Sequence, residues 1–463
     1  MKGVLIAGTA SGVGKTTVAL AIMAGLRARG LVVQPFKCGP DFIDAGHHSA
    51  ICGRVSRNLD TWMLSGEANV QVFADACVGA DIAVVEGMMG LFDGVAGEGE
   101  QGSSAEIAKL LHLPVVLALD AGNSARSLAA VARGFELFDS ALRVEGFILN
   151  RVAGERHFRM LECAFRSTTT VPILGWLPRD PAVAIPERHL GLHIAAEKTE
   201  KTEMSRRLAA LATLAQDHLD LGSLERFESS LRTASRPPFD AAAHGADPVR
   251  VGVARDQAFS FYYEDNLDAL RELDAEILEW SPLSDKELPT DIDALYIGGG
   301  YPELYAAQLS ENRALTNQVK AFSQTGKPVY AECGGMMYLA EALRTSQGLF
   351  PMAGVLPLSV EMTQHLVHFG YTDVEFLQNC LLGENGTTVR GHSFHCSRVT
   401  ETSPVAPAYL VHYSLSDVRT SEGYCSSNVL ASYIHLHFRS NPVLAQTFVQ
   451  KARATKRRAR LAS

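Results

Sequence analysis

The sequence predicts two α/β domains in one chain, the first of them built on a doubly wound parallel sheet. The chain has 463 residues, which is enough for two hydrophobic cores of about 200 residues each. Short β-branched segments alternate with amphipathic helical segments, and this alternation is typical of a parallel sheet covered by helices. A Ser-, Pro- and Ala-rich stretch near the middle lacks apolar periodicity and separates the two halves.

The strands of the first predicted sheet are short and apolar. They are expected at residues 3–7, 31–36, 82–85, 115–119 and 146–149. Strand-like segments resume in the second half at residues 250–254, 294–297 and 328–331. We therefore expect a first domain at residues 1–226, a linker at 227–249 and a second α/β domain at 250–463.

Composition excludes several classes of function. The formal net charge of −9 argues against nonspecific nucleic-acid binding, which needs a basic surface. No signal-peptide pattern and no uninterrupted apolar segment of about 18 residues is found, so we expect a cytoplasmic protein that does not enter a membrane. The eight cysteines are scattered and are expected to be reduced thiols. The Lys- and Arg-rich C-terminal end is expected to be frayed and solvated.

A glycine-rich segment follows the first strand directly. It reads GTASGVGKTT from residue 8 to residue 17, and a helical apolar pattern comes next. Backbone amides near Gly12 and Gly14 and at the helix N-terminus can cradle phosphate oxygens, with Thr17 in the same turn. Lys15 can neutralise the outer phosphates, and Thr16 can offer its hydroxyl to Mg²⁺. Gly14 lies six positions after the first glycine, whereas the strict P-loop motif has five.

Charged side chains follow the next two predicted strands where each strand ends. They are Lys37, Asp41, Asp44, Glu86 and Asp93. Ligands of open α/β sheets bind at this edge, and carboxylates repel a nucleotide there unless a cation lies between them. We therefore predict a Mg²⁺ site formed by Thr16, Asp41 and Glu86. Lys37 is predicted to stabilise the transferring phosphoryl group, although a single aspartate can equally be a turn residue or helix cap.

The second half contains a candidate nucleophile, base and oxyanion site. Cys333 lies in AECGGM, where a strand, a tight turn and a helix are expected, and the helix N-terminus favours the thiolate. Gly299 and Gly300 follow another predicted strand and can direct backbone amides at an oxyanion. His435 lies late in the chain and is a candidate base. Taken alone, Cys333 could equally be a buried apolar filler.

These motifs together resemble the family of cobyrinate a,c-diamide synthases over essentially the whole chain. The glycine-rich loop is similar to that of dethiobiotin synthetase and its relatives, and GGGYPE, AECGGM and the late histidine are similar to class I glutamine amidotransferases. Further similar segments are CGPDFID at residue 38, NLD at 58, PERHLG at 186 and GHSFH at 391. One departure concerns the base: ordinary class I glutaminases have Glu two positions after the histidine, and His437 stands there.

The resemblance implies an ATP-dependent, glutamine-hydrolysing ligase of cobalamin biosynthesis. ATP is expected to phosphorylate the a and c acetate carboxylates of cobyrinate, and ammonia released from glutamine through a Cys333 thioester is expected to displace phosphate. Asn150 corresponds to the position where relatives bind adenine. Contacts to the tetrapyrrole polycarboxylate are predicted at Asp44, Asp93, Arg188, His189, His392 and His395. A homodimer is left open.

Three alternatives remain. Relatives acting on hydrogenobyrinate or nickel sirohydrochlorin would use the same mechanism, and nothing in the sequence separates them from the cobyrinate enzymes. An alternative from another class is a P-loop regulatory ATPase of the partition type, with a degenerate glutaminase domain as a binding module. The presence of Cys333 and His435 argues against this last alternative.

Overall fold

The computed structural model describes residues 1–95, 99–180, 198–231, 247–414, 418–426 and 428–462. These residues divide into two compact units, one ending at residue 231 and the other beginning at residue 247. Arg188 and His189 and most of the predicted linker lie outside the described residues. None of the helices in the described ranges is long and apolar enough to cross a membrane.

The first unit contains a seven-stranded sheet with parallel pairing throughout. Its strands are β1 (Gly3–Gly8), β2 (Val33–Cys38), β3 (Arg57–Leu59), β4 (Ile82–Glu86), β5 (Val115–Asp120), β6 (Val144–Val152) and β7 (Ile173–Pro178). The spatial order is β3-β2-β4-β1-β5-β6-β7, so the first strand lies at the centre. The predicted parallel sheet is confirmed, and its carboxyl ends bring the segments after β1, β2 and β4 together.

Helices cover both faces of this sheet. They are α1 (Lys15–Ala28), α2 (Phe42–Cys52), α3 (Gly66–Ala76), α4 (Ser104–Leu110), α5 (Ser127–Phe138), α6 (Glu155–Arg166), α7 (Lys198–His218) and α8 (Leu221–Leu224). Alternate residues of β1 enter different cores. Val4 and Ile6 pack with apolar side chains of α1, α7 and α8, whereas Leu5 and Ala7 pack with those of α3 to α6. The unit is therefore doubly wound.

The second unit contains a ten-stranded mixed sheet and a separate four-stranded sheet. Its strands are β8 (Val249–Ala254), β9 (Ala275–Trp280), β10 (Ala294–Ile297), β11 (Val329–Glu332), β12 (Ala342–Thr345), β13 (Gly348–Pro351), β14 (Leu358–Met362), β15 (His368–Phe376), β16 (Thr388–His395), β17 (Ser397–Glu401), β18 (Pro407–Tyr413), β19 (Arg419–Ser426), β20 (Val429–Ser432) and β21 (His435–Leu436). The large sheet has the order β21-β16-β15-β18-β19-β20-β11-β10-β8-β9, and β20 to β9 are parallel. The antiparallel extension from β19 to β21 carries His435.

The helices of the second unit include a long C-terminal one. They are α9 (Glu264–Arg271), α10 (Ala306–Glu311), α11 (Arg313–Gln324), α12 (Gly334–Leu339) and α13 (Val443–Ala462), with 3₁₀ turns at Pro302–Tyr305 and Phe438–Ser440. The expectation of a frayed basic end is wrong. Phe448 of α13 is buried in the core, and Lys456 lies 3.2 Å from Asp293 and 2.7 Å from Asp247. Arg453 and Arg460 also face acidic side chains, Asp274 and Asp247, whereas Arg457 and Arg458 are exposed on the helix.

Candidate active sites

The loop between β1 and α1 forms the first site. Gly14 is the N-cap of α1 in the left-handed conformation, with φ 90°. A Cβ atom at this position would also overlap the side-chain amide of Asn150, so both backbone and space require glycine. Asn150, at the end of β6, donates its Nδ2–H to the carbonyl of Val13 at 2.9 Å. Asn150 therefore supports the loop, and its predicted contact with adenine stays a prediction.

Lys15 and Thr16 begin α1. The Lys15 ammonium donates to the carbonyl of Ala10 at 3.1 Å and is largely buried. Burial and then the charge of Lys37 lower the pKa of Lys15 to about 8. The Thr16 hydroxyl donates to Glu86 Oε1 at 2.7 Å. These side chains thus meet a charged cluster at the carboxyl ends of β2 and β4.

That cluster is centred on the fully buried carboxylate of Glu86. Lys37 Nζ lies 3.0 Å from Glu86 Oε1 and 3.0 Å from Asp44 Oδ2, and His48 Nε2 lies 2.7 Å from Glu86 Oε2. Burial by itself would lower the pKa of Lys37 and raise the pKa of Glu86. The negative charges of Glu86, Asp44 and Asp41 instead raise the pKa of Lys37, and the positive charge of Lys37 lowers the pKa of Glu86. The lysine and carboxylate are therefore both charged at neutral pH. His48 was not singled out from the sequence, because nothing local distinguishes a buried histidine on a helix.

The three predicted aspartates have defined local contacts. Asp41 is the N-cap of α2, and its Oδ1 accepts from the N–H groups of Ile43 at 2.9 Å and Asp44 at 3.0 Å. Asp44 forms the ion pair with Lys37 described above. Asp93 Oδ2 accepts from the N–H of Gly90 at 2.8 Å, and its charge acts on Lys15. The metal role of Asp41 and the substrate roles of Asp44 and Asp93 stay predictions.

The second site is centred on Cys333, the residue between β11 and α12. Its φ is 47°, a left-handed value that is strained for a residue with a Cβ atom. Such a strand-to-helix elbow presents its side chain at the carboxyl end of a sheet. A Cβ atom at Gly335 would overlap the carbonyl of Ile297, so the turn also needs a small residue. The Cys333 thiol lies 4.0 Å from the carbonyl oxygen of Phe394.

His435 lies at this elbow. Its Nδ1 is 3.7 Å from Glu332 Oε2. The Cε1 and Nε2 atoms of the ring lie where a Cβ atom of Gly299 would be placed, so this position requires glycine. Burial by itself would lower the pKa of His435, but Cys333 and Glu332 raise it to about 9. The histidine is therefore arranged to hold a proton beside the thiol. Sequence reasoning did not identify Glu332, although it directly precedes the predicted nucleophile.

The two glycines predicted to form the oxyanion site differ in their contacts. The N–H of Gly299 donates to the carbonyl of Phe261 at 3.2 Å, so it is not directed at a reacting oxygen. The nitrogen of Gly300 lies 3.0 Å from the position that a Cβ atom of Gly334 would occupy. Gly300 thus adjoins the residue after Cys333. The oxyanion roles of Gly299 and Gly300 stay predictions.

The two histidines predicted to contact the substrate, His392 and His395, are buried near His435. His392 is opposite His435 in the β16–β21 pair, the two rings stack at 4.8 Å, and Nδ1 of His392 lies 2.9 Å from the hydroxyl of Tyr263. His395 stacks on Tyr433 at 3.6 Å. Burial lowers the pKa of His392 well below its usual value and that of His395 to about 4. Both are neutral at pH 7, and their predicted contacts with the tetrapyrrole stay predictions.

Comparison with known proteins matches both units. Residues 4–192 match the CobQ/CobB/MinD/ParA nucleotide binding domain, and residues 250–443 match the CobB/CobQ-like glutamine amidotransferase domain. A cobyrinate a,c-diamide synthase of Listeria innocua is 42% identical, covering 97% of this chain and 99% of the relative. One of Archaeoglobus fulgidus is also 42% identical, covering 97% of each. The chain therefore belongs to the cobyrinate a,c-diamide synthase family.

Proposed function

We propose that this chain converts the a and c acetate carboxylates of cobyrinate into amides, using ATP and glutamine. The observation that carries the proposal is the occurrence of two chemically distinct sites in a member of this family. Cys333 adjoins His435 in the second unit, and Lys15 and Thr16 adjoin a buried charged cluster in the first. The substrate follows from the names of the relatives, which match along nearly their whole length.

The glutaminase half of the reaction uses Cys333 and His435. His435 accepts the thiol proton, and the sulfur attacks the side-chain amide carbon of glutamine. The carbonyl oxygen then becomes negatively charged, and the N–H groups of Gly300 and Gly334 are the proposed donors to it. His435 returns the proton to the leaving nitrogen, so ammonia departs. Water hydrolyses the remaining thioester to glutamate and restores the thiol.

The ligase half activates the carboxylate. Hydroxide is a poor leaving group, so transfer of the terminal phosphoryl group of ATP to a carboxylate oxygen provides phosphate in its place. Ammonia attacks the acyl carbon, the C–O bond to phosphate breaks, and an amide forms. We propose that Lys15 holds the outer phosphates and that Lys37 stabilises charge on the transferring phosphoryl group. Burial lowers the pKa of Lys37, but Glu86, Asp44 and Asp41 raise it above its usual value, which favours the charged form.

Mg²⁺ is proposed as the metal of the ATP site, because the available donors are oxygen atoms. The Thr16 hydroxyl contacts the Glu86 carboxylate at 2.7 Å, and Asp41 begins the neighbouring helix. Within the described ranges, no group of three or more His, Cys, Asp or Glu side chains could hold a metal by itself. This suits Mg²⁺, which usually takes one or two protein ligands and completes its shell with phosphates and water. The ion would neutralise charge on the transferring phosphoryl group.

We also propose that the reaction takes place in the cytoplasm. All eight cysteines are free thiols, which agrees with a reducing compartment. Fractionation of the source cells tests this proposal, because the active protein should remain with cytoplasmic marker enzymes. Whether the chain forms a homodimer is left open, and sedimentation of the purified chain would decide it.

The chemical step is tested by isotope transfer. With ¹⁸O in the substrate carboxylates, an acyl phosphate must carry one labelled oxygen into inorganic phosphate for every amide formed. Mass spectrometry of the released phosphate measures this ratio. Unlabelled phosphate together with normal amide formation would exclude phosphoryl activation of the carboxylate.

Substrate identity needs a separate comparison. We expect cobyrinate to give a higher kcat/KM for glutamine-dependent ATP hydrolysis than hydrogenobyrinate or nickel sirohydrochlorin. A higher kcat/KM with either of the other two would mean that this tetrapyrrole is the substrate and that the same mechanism acts on it. Absence of both glutaminase activity and tetrapyrrole-stimulated ATP hydrolysis would instead favour a regulatory ATPase.

The base is predicted to be His435 and not His437. His435→Ala should lower glutaminase kcat by about 10² to 10⁴-fold, because the thiol then loses its proton acceptor. His437→Ala is the matched control and should cost less, since Nδ1 of His437 accepts from the N–H of Arg439 at 3.2 Å. Steady-state release of glutamate measures both variants. The assignment of the base is wrong if the ranking is reversed.

A further inference from the structure

The carboxylate of Glu332 is held at the carboxyl end of β11, directly before Cys333. Its side chain is 2% exposed. Oε2 accepts from the hydroxyl of Tyr296 at 3.0 Å, and Oε1 accepts from the hydroxyl of Tyr330 at 2.6 Å and from the N–H of Leu436 at 3.1 Å. A carboxylate this deeply buried requires such donors. Oε2 also lies 3.7 Å from Nδ1 of His435.

The chain path explains why one carboxylate reaches both the backbone and the ring. Glu332 is paired with Ser432 at the end of β20, and β21 begins only a few residues later with His435. The hydrogen bond from the N–H of Leu436 therefore fixes the backbone directly after His435. The other oxygen, Oε2, accepts from the hydroxyl of Tyr296 and also lies 3.7 Å from Nδ1 of His435, which is within ion-pair range.

We infer that Glu332 is the acidic positioning residue of His435, an inference that rests on the proposed glutaminase function. It takes the place of the glutamate that ordinary class I glutaminases have two positions after the histidine. His437, which occupies that position, is buried and accepts a hydrogen bond at Nδ1. Glu332 would accept the Nδ1–H of His435, keep Nε2 directed at Cys333, and stabilise the imidazolium formed when the thiol proton is transferred.

Among the described residues, the histidines that pack around His435 do not provide this negative charge. His392 stacks on its ring and His395 lies nearby, and burial lowers the pKa of both, so they are neutral at pH 7. Cys333 forms the other interaction with His435. The raised pKa of His435 agrees with a carboxylate partner, because burial alone would lower it.

The direct test is Glu332→Gln, which keeps the size of the side chain and removes its charge. We expect glutaminase kcat to fall by about 10²-fold while KM for glutamine changes much less. Ammonia-supported synthesis should be retained. The rate of Cys333 alkylation by iodoacetamide should reach its half-maximum at a pH higher by about one unit or more. The shift is expected because the protonated form of His435 is less stable without the carboxylate. Less of the Cys333 thiolate is then present at neutral pH.

Glu422→Gln is the matched control. Glu422 is a partly buried carboxylate of the same sheet, and it accepts from the hydroxyl of Ser432 at 2.5 Å and from the N–H of Tyr433 at 2.7 Å. Its neutralisation should leave the pH midpoint of Cys333 alkylation unchanged. Glu332→Asp retains the charge and should move the midpoint back toward that of the wild type, even where kcat stays low.

A measurement on the wild-type chain covers the case in which Glu332→Gln does not fold. In protein labelled with ¹⁵N-histidine, the Nδ1 of His435, assigned by its loss in His435→Gln, should carry a proton in both charge states. A neutral ring protonated at Nε2 would overturn the inference, as would a Glu332→Gln variant with the kcat and alkylation profile of the wild type. If the wild type releases no glutamate, the proposed function fails, whereas the tautomer still tests the contact with Glu332.

Discussion

Cys333→Ala is expected to reduce glutamine-supported synthesis by at least about 10³-fold, because Cys333 is the proposed nucleophile that forms the glutamyl thioester. The same variant should keep most of its activity with ammonium salts, since every phosphate-binding motif lies in the first unit. Amide formation measured with each nitrogen source on the same preparation gives the ratio directly. Only the rate of amide formation from glutamine should fall strongly.

The matched control for this experiment is Cys396→Ala. Cys396 is buried near Cys333, and its pKa is raised by burial and by the neighbouring Glu303 and Cys333 charges, but it has no proposed step. Cys396→Ala should form amide at near the wild-type rate with either glutamine or ammonium salts. Equal loss of both activities in Cys333→Ala would mean that Cys333 maintains the fold, and that its role in ammonia release is wrong.

Lys15→Ala is expected to remove both activities together. Lys15 is proposed to neutralise the outer phosphates, so its loss should lower ammonia-supported and glutamine-supported synthesis alike, by at least about 10²-fold. Glu86→Gln should have a similar effect, because it disrupts the contacts with Thr16 and Lys37. Basal glutamine hydrolysis should persist in both variants, since Cys333 and His435 are unchanged.

Lys109→Ala provides the control for a lost lysine in the same unit. Lys109 forms ion pairs with Glu100 and Asp139, and such partly exposed pairs contribute little to stability. Its replacement should leave synthesis near the wild-type rate. Retention of ammonia-supported synthesis in Lys15→Ala would contradict the proposed phosphate site and the mechanism built on it.

Both candidate sites could be anticipated where their residues lie in one continuous segment. The loop around Gly14 and Lys15 and the elbow at Cys333 each consist of a strand, a turn and a helix, so local sequence contains the full geometric requirement. Many of the parallel strands were also recognisable, because burial on both faces makes each a short apolar segment. The parallel strands β3, β7, β9 and β20 were not predicted. Among the antiparallel strands of the second unit, β15 and β19 were not predicted, since exposed and buried residues mix along them.

The sequence by itself therefore determined the fold class, the family and the position of the candidate nucleophile. The tertiary structure decided which distant groups face these residues: His48 toward Glu86, Asn150 toward the glycine-rich loop, and Glu332 toward His435. Asn150 and Val13 are 137 residues apart, and Glu332 and Leu436 are 104 apart. Contacts over such separations depend on strand order and register, which a local pattern of residue types does not specify.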